Sequence, residues 1–396
     1  MKRLVTLFIC LLLLQIAKGS TAAPTGGPVK FPQKKGTDTT FAHAANQLQT
    51  LHETVIERRL DSIKKDVPLD YNEFVQNYID LYSHNRDEMG HVIGLSKYYF
   101  PIYEKVFHDA GIPEEIKYLS IVESKLDPNA VSRVGATGPW QFMSTTAKLY
   151  GLNMDGYIDE RRDPIKASYA AAAYLKDAYE EFGDWLLAIA SYNCGKSNVE
   201  NALAKSGGTD FWSIRQYLPV ETRNYVPAYI AVAYVMNYYS QQNINAQPCG
   251  FSLNVDTVLV DRYVSLTSIA HIINVDVSVL SLLNPAYRMQ SINASSANPR
   301  RLVIPQANTN TYTALYNALN IAPAGTLTPQ KAYVPIQQEG KADQLPAYHK
   351  VKKGETLAAI ADKYGVDVQD LKAWNHLGGL KKAHLQPGMT LKISRG

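Results

Sequence analysis

Cysteine is nearly missing from this sequence, and so is any long apolar run beyond the first twenty residues. Only three of 396 residues are cysteines, and Cys10 lies in the N-terminal apolar stretch, so no thiolate cluster of the zinc-binding kind is available. No later run is long enough to span a bilayer. A large excess of charge of one sign is also missing. Lys and Arg number 40 against 36 Asp and Glu, and no basic run interleaved with aromatics marks a nucleic-acid surface, so nucleic acid is not an expected partner. Tryptophan (4) and phenylalanine (10) are few beside tyrosine (26), whose flat face and hydroxyl edge suit carbohydrate but equally suit helix packing.

The length leaves material for two or three domains. Residues 1–19 read as a cleavable secretory signal: Lys2 and Arg3, an apolar run over 4–14, then small residues around Ala17, Gly19 and Ser20. Cys10, preceded by Ile9 and followed by leucines, is not set as a lipid acceptor. The mature chain is therefore expected to be soluble and monomeric, without a transmembrane segment, and secreted, periplasmic or associated with the cell envelope. Cleavage would remove Lys2, Arg3 and Lys18 and no acid, which takes the net charge from +4 to +1. Cys194 and Cys249 then remain, and an oxidising compartment leaves two readings open, a disulfide between them or two separate thiols.

Residues 20–40 are mostly Gly, Pro, Thr and Lys, a flexible lead. From 41 to 245 apolar residues recur at three-to-four spacing, first at Leu48, Leu51, Val55, Ile56 and Leu60, then at Phe74, Tyr78, Ile79 and Tyr82. An alanine-rich helix follows over 166–182. An apolar helix from Trp185 is expected to end with Gly195 as a left-handed cap, and a long helix to open at 219–227 and run through Tyr239. No alternating strand pattern interrupts them, so this part is all-α.

After residue 241 the texture changes. Short β-branched runs at 255–260 and 302–304 bracket a helical patch containing Ile269, Ile272, Ile273, Val279, Leu280 and Leu283. The plan returns near the end of the chain. Leu266 and Leu357, Ile269 and Ile360, Val275 and Val366, Leu280 and Leu371, and Asn284 and Asn375 each stand 91 apart, and Leu302 and Leu391 stand 89 apart. A constant register is a repeat with a shortened last loop. Two small α+β modules are expected, at 250–306 and 346–396, joined by a linker at 307–345 rich in Thr, Ala, Pro and Gln, with some local order.

Between Ile112 and Met143 one carboxylate is awkwardly placed. Pro113 suits a first helical position, Glu114 and Glu115 suit the positive helix start, and Ile116, Leu119 and Ser120 mark one face on which Glu123 falls next. The helix is expected to stop at Asp127-Pro128. A carboxylate on an apolar face is either paired in a core or held protonated in a cleft. Beyond it, Gly135-Ala-Thr-Gly-Pro-Trp-Gln-Phe-Met143 is a Gly-rich turn leading to aromatic and amide side chains, the kind of wall that binds a polar ring. Ser124, Ser132 and Gln141 can hydrogen-bond a carboxylate or a ligand, and Tyr192 and Asn193 close another helix end. The acids of 153–160 lack the full ligand pattern of a calcium loop, and 159–163 reads as a salt-bridged approach to a helix; no metal and no cofactor are expected.

Glu123-Ser124, the run 135–143, Ser191-Tyr-Asn-Cys-Gly195 and Leu218-Pro-Val-Glu-Thr-Arg-Asn-Tyr-Val-Pro227, taken together, resemble the lytic murein transglycosylases of the soluble-lytic-transglycosylase (SLT) type, the membrane-bound D group among them. The resemblance covers roughly residues 67–239. It implies an α-helical, lysozyme-like catalytic domain with Glu123 as its catalytic residue, acting first as acid and then as base. It also implies peptidoglycan as partner, cleaved between N-acetylmuramic acid and N-acetylglucosamine without water to give a 1,6-anhydromuramyl end. Ser124, Ser132, Gln141, Tyr192, Asn193 and Tyr225 would position the glycan, with Phe142 and Met143 shaping the cleft walls. Cys194 replaces the usual alanine and Pro139 the usual leucine, and neither change removes a functional group.

The last copy of the repeat, with Gly354-Glu-Thr356, Tyr364-Gly365-Val366 and Pro387-Gly-Met-Thr-Leu391, resembles a LysM module, which implies a βααβ fold that binds N-acetylglucosamine-containing glycan. The earlier copy has Tyr263-Val-Ser265 in place of the Gly-Glu-Thr turn, so it is expected to share the fold with its sugar binding in question. Two other readings remain: a goose-type lysozyme-like muramidase that adds water, and a non-catalytic peptidoglycan-binding protein, against which the intact Glu123 argues.

Overall fold

In the computed structural model the described residues are 39–320, 348–352, 354–357, 360–361, 371–372, 374–375, 377 and 385–393. The expected signal, most of the flexible lead and of the linker, and Tyr364, Gly365 and Val366 lie outside them.

The three-to-four spacing near the start becomes α1 (Thr39–Ile63), α2 (Glu73–His84) and α3 (Arg86–Ala110). Asn72 caps α2 by accepting from the amides of Phe74 and Val75, and Gly111 ends α3 at φ 69°. Then follow α4 (Leu119–Ser124), α5 (Ser144–Leu149), α6 (Pro164–Phe182), α7 (Trp185–Cys194), α8 (Lys196–Ser206), α9 (Phe211–Ile214) and α10 (Thr222–Tyr238). Helices apolar on every side belong at the centre. Accordingly α10 and α7 are buried over most of their length, with α10 packed on α2, α4 and α7. Ala167, Ala170 and Ala171 are buried where α6 meets α3 and α7, small side chains that permit close approach. Only isolated bridges, no strands, occur between residues 39 and 254 among the described residues.

Two details differ from expectation. The helix foreseen from Pro113 to Asp127 is a 3-10 turn at Glu114–Tyr118 followed by α4, and it stops at Lys125 and Leu126, both left-handed (φ 58° and 66°). This early turn places Leu126 in the core, fully buried. Gly195 has φ 85° and ψ 147°, an extended glycine conformation that turns the chain straight into α8. The long helix α10 opens at Thr222, within the expected stretch 219–227.

The second part contains β1 (Val255–Val260), β2 (Val264–Ser265), α11 (Leu266–Ile273), α12 (Val277–Leu283), β3 (Ser291–Ile292) and β4 (Arg300–Pro305). β1 pairs antiparallel with β4, and β2 with β3. A further helix, α13 (Thr309–Asn320), buries Leu315 and Leu319 in this module's core, so ordered structure continues past residue 306 into the stretch expected as linker. Tyr312, Leu315 and Leu319 have the helical spacing that explains it.

In the terminal part β5 (Tyr348–Lys350) pairs antiparallel with β6 (Thr390–Lys392) beside a small core of Val351, Leu357, Ile360, Leu371, Leu391 and Ile393. The repeat extends to its hydrogen bonds. Asn284 Nδ2 donates to the carbonyls of Leu280 (2.8 Å) and Val303 (2.7 Å), and its Oδ1 accepts from Val303 N–H (2.8 Å). Asn375 does the same with Leu371 (2.8 Å) and Lys392 (2.7 Å each way). In both copies one side-chain amide ties the carbonyl four residues before it to the closing strand. No single helix among the described residues is long and apolar enough to cross a membrane.

Candidate active site

Glu123 sits at the end of α4, one turn after the buried Leu119 and Ser120. The residue is half-buried, but its Oε2 is shut off from solvent and has no hydrogen-bond partner. Oε1 accepts from the hydroxyl of Tyr225, on α10. Burial pushes the carboxyl pKa up, the Tyr225 hydrogen bond draws it partly back, and the charge of Glu221 raises it again, to about 8. At neutral pH the group is therefore mostly protonated.

The Gly-rich segment forms a tight hairpin beside α4, with bridges between Val131 and Thr137 and between Thr137 and Phe142. Gly138 has φ 88°, and a Cβ there would lie 1.9 Å from the carbonyl oxygen of Arg161, so only glycine fits. Arg161 organises the hairpin from beneath. Its Nη1 donates to the carbonyls of Gly135 (3.1 Å) and Phe142 (3.3 Å) and to Ser144 Oγ (3.2 Å). Its Nε and Nη2 take both oxygens of Asp159 at 2.9 and 2.8 Å. Burial pushes the Asp159 carboxyl up, but Arg161, helped by Arg162, more than reverses this and holds it below its ordinary value.

Trp140 and Phe142 correct the picture of an aromatic cleft wall. Trp140 is fully buried between Tyr103 and Phe107, its ring centroid 5.1 and 5.5 Å from theirs, and its indole N–H donates to Ser168 Oγ at 2.8 Å. Phe142, 3% exposed, meets Tyr192 edge-on. Burying side chains of this size contributes on the order of 2 kcal/mol each. They anchor the hairpin, and Met143 alone of the three keeps an accessible surface.

The polar residues are also largely occupied by the scaffold. Ser124 Oγ donates to the carbonyls of Ser120 (3.1 Å) and Pro139 (2.9 Å), fastening α4 to the hairpin. Ser132 Oγ accepts from the amides of Val134 (3.3 Å) and Ala136 (3.0 Å). Gln141, at φ 48°, donates through Nε2 to the carbonyls of Ala130 (3.2 Å) and Gly138 (2.9 Å). The Tyr192 hydroxyl donates to the carbonyl of Trp140 at 2.8 Å. Asn193 differs. Its Oδ1 accepts from Thr222 Oγ1 at 2.8 Å, while its buried Nδ2 has no partner.

The sequence reading passed over Glu221, Thr222 and Arg161. Glu221 and Thr222 precede Tyr225 by four and three residues, the spacing that puts all three on one helical face, and that signal was available. Arg161 lies in the stretch read as salt-bridged, but its link to the hairpin carried no signal, since those partners come from the distant segment 135–144. The acids and bases of 159–163 do form ion pairs, Asp159 with Arg161 and Glu160 with Lys166. Both cysteines are free thiols: Cys194 is buried and donates to the Ala190 carbonyl, whereas Cys249 lies beyond α10 and donates to the Phe251 carbonyl.

Residues 104–214 match the transglycosylase SLT domain family, the range that holds Glu123, the hairpin and Asn193. Over that range the chain is similar to the SLT family. Beyond the SLT domain, residues 254–321 match the LysM-like domain of lytic transglycosylase MltD, and residues 349–394 match the LysM domain. The chain is 31% identical over 294 residues to membrane-bound lytic murein transglycosylase D of Escherichia coli (strain K12), covering 72% of this chain and 61% of that protein. It is 34% identical over 139 residues to peptidoglycan transglycosylase gp16 of Escherichia phage T7, covering 33% of this chain and 10% of that one. Among solved structures, the 70 kDa soluble lytic transglycosylase SLT70 from Escherichia coli is 26% identical, with a TM-score of 0.31, over 35% of this chain and 24% of that chain. The chain thus spans about three fifths of the length of the D transglycosylase it matches. Tyr225 and Glu221 lie past the matched end of the SLT domain, so α10 completes the surroundings of Glu123 from outside it.

Proposed function

We propose that this chain is a peptidoglycan lytic transglycosylase. It cleaves the β-1,4 bond between N-acetylmuramic acid and N-acetylglucosamine without water and leaves a 1,6-anhydromuramyl end. One observation carries the reading: the Glu123 carboxyl is buried, mostly protonated at neutral pH, held at one oxygen by Tyr225 and unpartnered at the other. Such a group is a proton donor aimed at whatever enters beside it. It gives its proton to the glycosidic oxygen as the bond to the anomeric carbon breaks. The resulting carboxylate takes the proton of the muramyl C6 hydroxyl, whose oxygen closes on that carbon, and Glu123 is restored. A tethered hydroxyl gains in effective molarity over water and needs no second carboxylate to hold it.

Asn193 Nδ2, buried and unpartnered, is the donor best placed to receive a substrate oxygen. Ser124, Ser132, Gln141 and Tyr192 shape the cleft through the hairpin they fasten. The terminal LysM region holds the chain to the glycan polymer and so raises the local concentration of the catalytic part. A cell-envelope location follows from the substrate, and the relatives named as membrane-bound murein transglycosylases support it.

Digestion of purified peptidoglycan, followed by weighing the muropeptides, tests the proposal. Products lighter by one water than reducing ends are expected. Reducing ends would indicate a muramidase, and no release would indicate a binding protein.

A further inference from the structure

The module at 254–321 is seated on the helical part of the protein through the short segment that supports the cleft hairpin. Asp159 N–H donates to the Ala286 carbonyl (2.9 Å), Arg288 N–H donates to the Tyr157 carbonyl (2.9 Å), and Ile158 bridges to Tyr287. Arg300 Nη1 lies 3.3 Å from Glu160 Oε1. Arg301 Nη2 reaches both oxygens of Asp163 at 2.9 and 2.8 Å, and the hydroxyl of Tyr287 fixes the Arg301 carbonyl. Leu283 and Val303 of the module are buried in the core of the helical part. Glu160 is itself almost fully buried and also accepts from the amide and side chain of Asn153 (2.8 and 3.0 Å). On the other side of the same segment, Asp159 holds Arg161, and Arg161 holds Gly135, Phe142 and Ser144.

We propose that Arg300 and Arg301 are positioning residues for the Glu123 cleft, acting through Glu160, Asp163 and the Asp159–Arg161 pair on the hairpin 135–144. The module is thus a brace for the hairpin. Its turn Tyr263-Val-Ser265 lacks the carboxylate that, in the terminal copy, accepts from Lys352 N–H (2.7 Å) and bonds His349 (2.8 Å). Partly buried ion pairs of this kind fix geometry more than they add stability; Glu160 keeps its pair with Lys166 when Arg300 is lost, so the change falls on how the segment is seated rather than on bare charge. The effect on turnover rests on the proposed function; the brace does not.

The full chain is compared with Arg300→Ala/Arg301→Ala and with Arg301→Lys by amide hydrogen exchange, by kcat and KM on soluble glycan fragments, and by retention on sacculi. Exchange at Gly138, Gln141 and Phe142 is expected to quicken about tenfold in the double variant while α10 stays at the parental rate. The parallel expectation is a kcat lower by about tenfold, with KM and retention near parental values. Arg301→Lys falls between, because an ammonium does not reproduce the two-oxygen contact. Parental exchange over 135–144 overturns the proposal, as does faster exchange spread equally through α10. The exchange readout needs no turnover, so an inactive parent chain would sink the proposed function and leave this inference standing or falling by itself.

Discussion

Tyr225 donates its hydroxyl to one oxygen of Glu123 and leaves the other, which is buried, without a partner. The pair spans two elements, α4 and α10, whose packing closes solvent off from the carboxyl. Desolvation dominates, the hydrogen bond opposes it, and the balance leaves a proton on Glu123 up to about pH 8.

Because the hydrogen bond favours the charged form, Tyr225→Phe raises the pKa of Glu123 further. The descending limb of the kcat profile should move to higher pH, and kcat at neutral pH should fall by about tenfold as the carboxyl loses its fixed orientation. A pH series of initial rates on glycan fragments reads both.

Glu221→Gln acts in the opposite sense. It removes the charge that raises the Glu123 pKa, so the same limb should move to lower pH. A limb that stays in place would show that Glu221 does not set the proton affinity of the site.

Stability carries the same signature with a definite sign. The folded pKa of about 8 exceeds the ordinary 4.5, so the folded protein holds the proton more tightly than the unfolded chain between those values. Stability therefore falls as pH rises through that window. Glu123→Gln should be close to neutral at pH 5 and more stable than the parent at pH 9, by a difference on the order of a few kcal/mol. Denaturant unfolding at the two pH values measures it.

The hairpin has its own test in Gly138→Ala. A Cβ at a positive φ, set 1.9 Å from the Arg161 carbonyl, forces the two segments apart. A loss of roughly 2–4 kcal/mol in unfolding free energy is expected, with turnover lost along with hairpin geometry.

Local patterns carried much of this into the sequence. Apolar spacing gave the long helices, and the run 255–260 coincides with β1. The register that pairs Asn284 with Asn375 reappears as two equivalent hydrogen-bond clamps. The face argument put Glu123 beside Ile116, Leu119 and Ser120, though it could not choose between a core ion pair and a buried acid. The missing information was non-local: Tyr225 lies 102 residues from Glu123, and Arg161 is 26 residues from Gly135. Neither separation leaves a periodic trace. The burial of Trp140 was hidden for the same reason, since its pocket is built by Tyr103, Phe107 and Ser168. The helix ending at Lys125 escaped notice because a left-handed lysine has no compositional signal, whereas Asp127-Pro128 has an obvious one.

The most direct test of the account is the source of the oxygen at the new muramyl end. Cleavage of peptidoglycan by the full chain in 18O-labelled water should release glycan carrying no label at the anomeric carbon, and Glu123→Gln should release none at all. Incorporation of one labelled oxygen per cleavage, or unlabelled anhydro ends from Glu123→Gln, would contradict it.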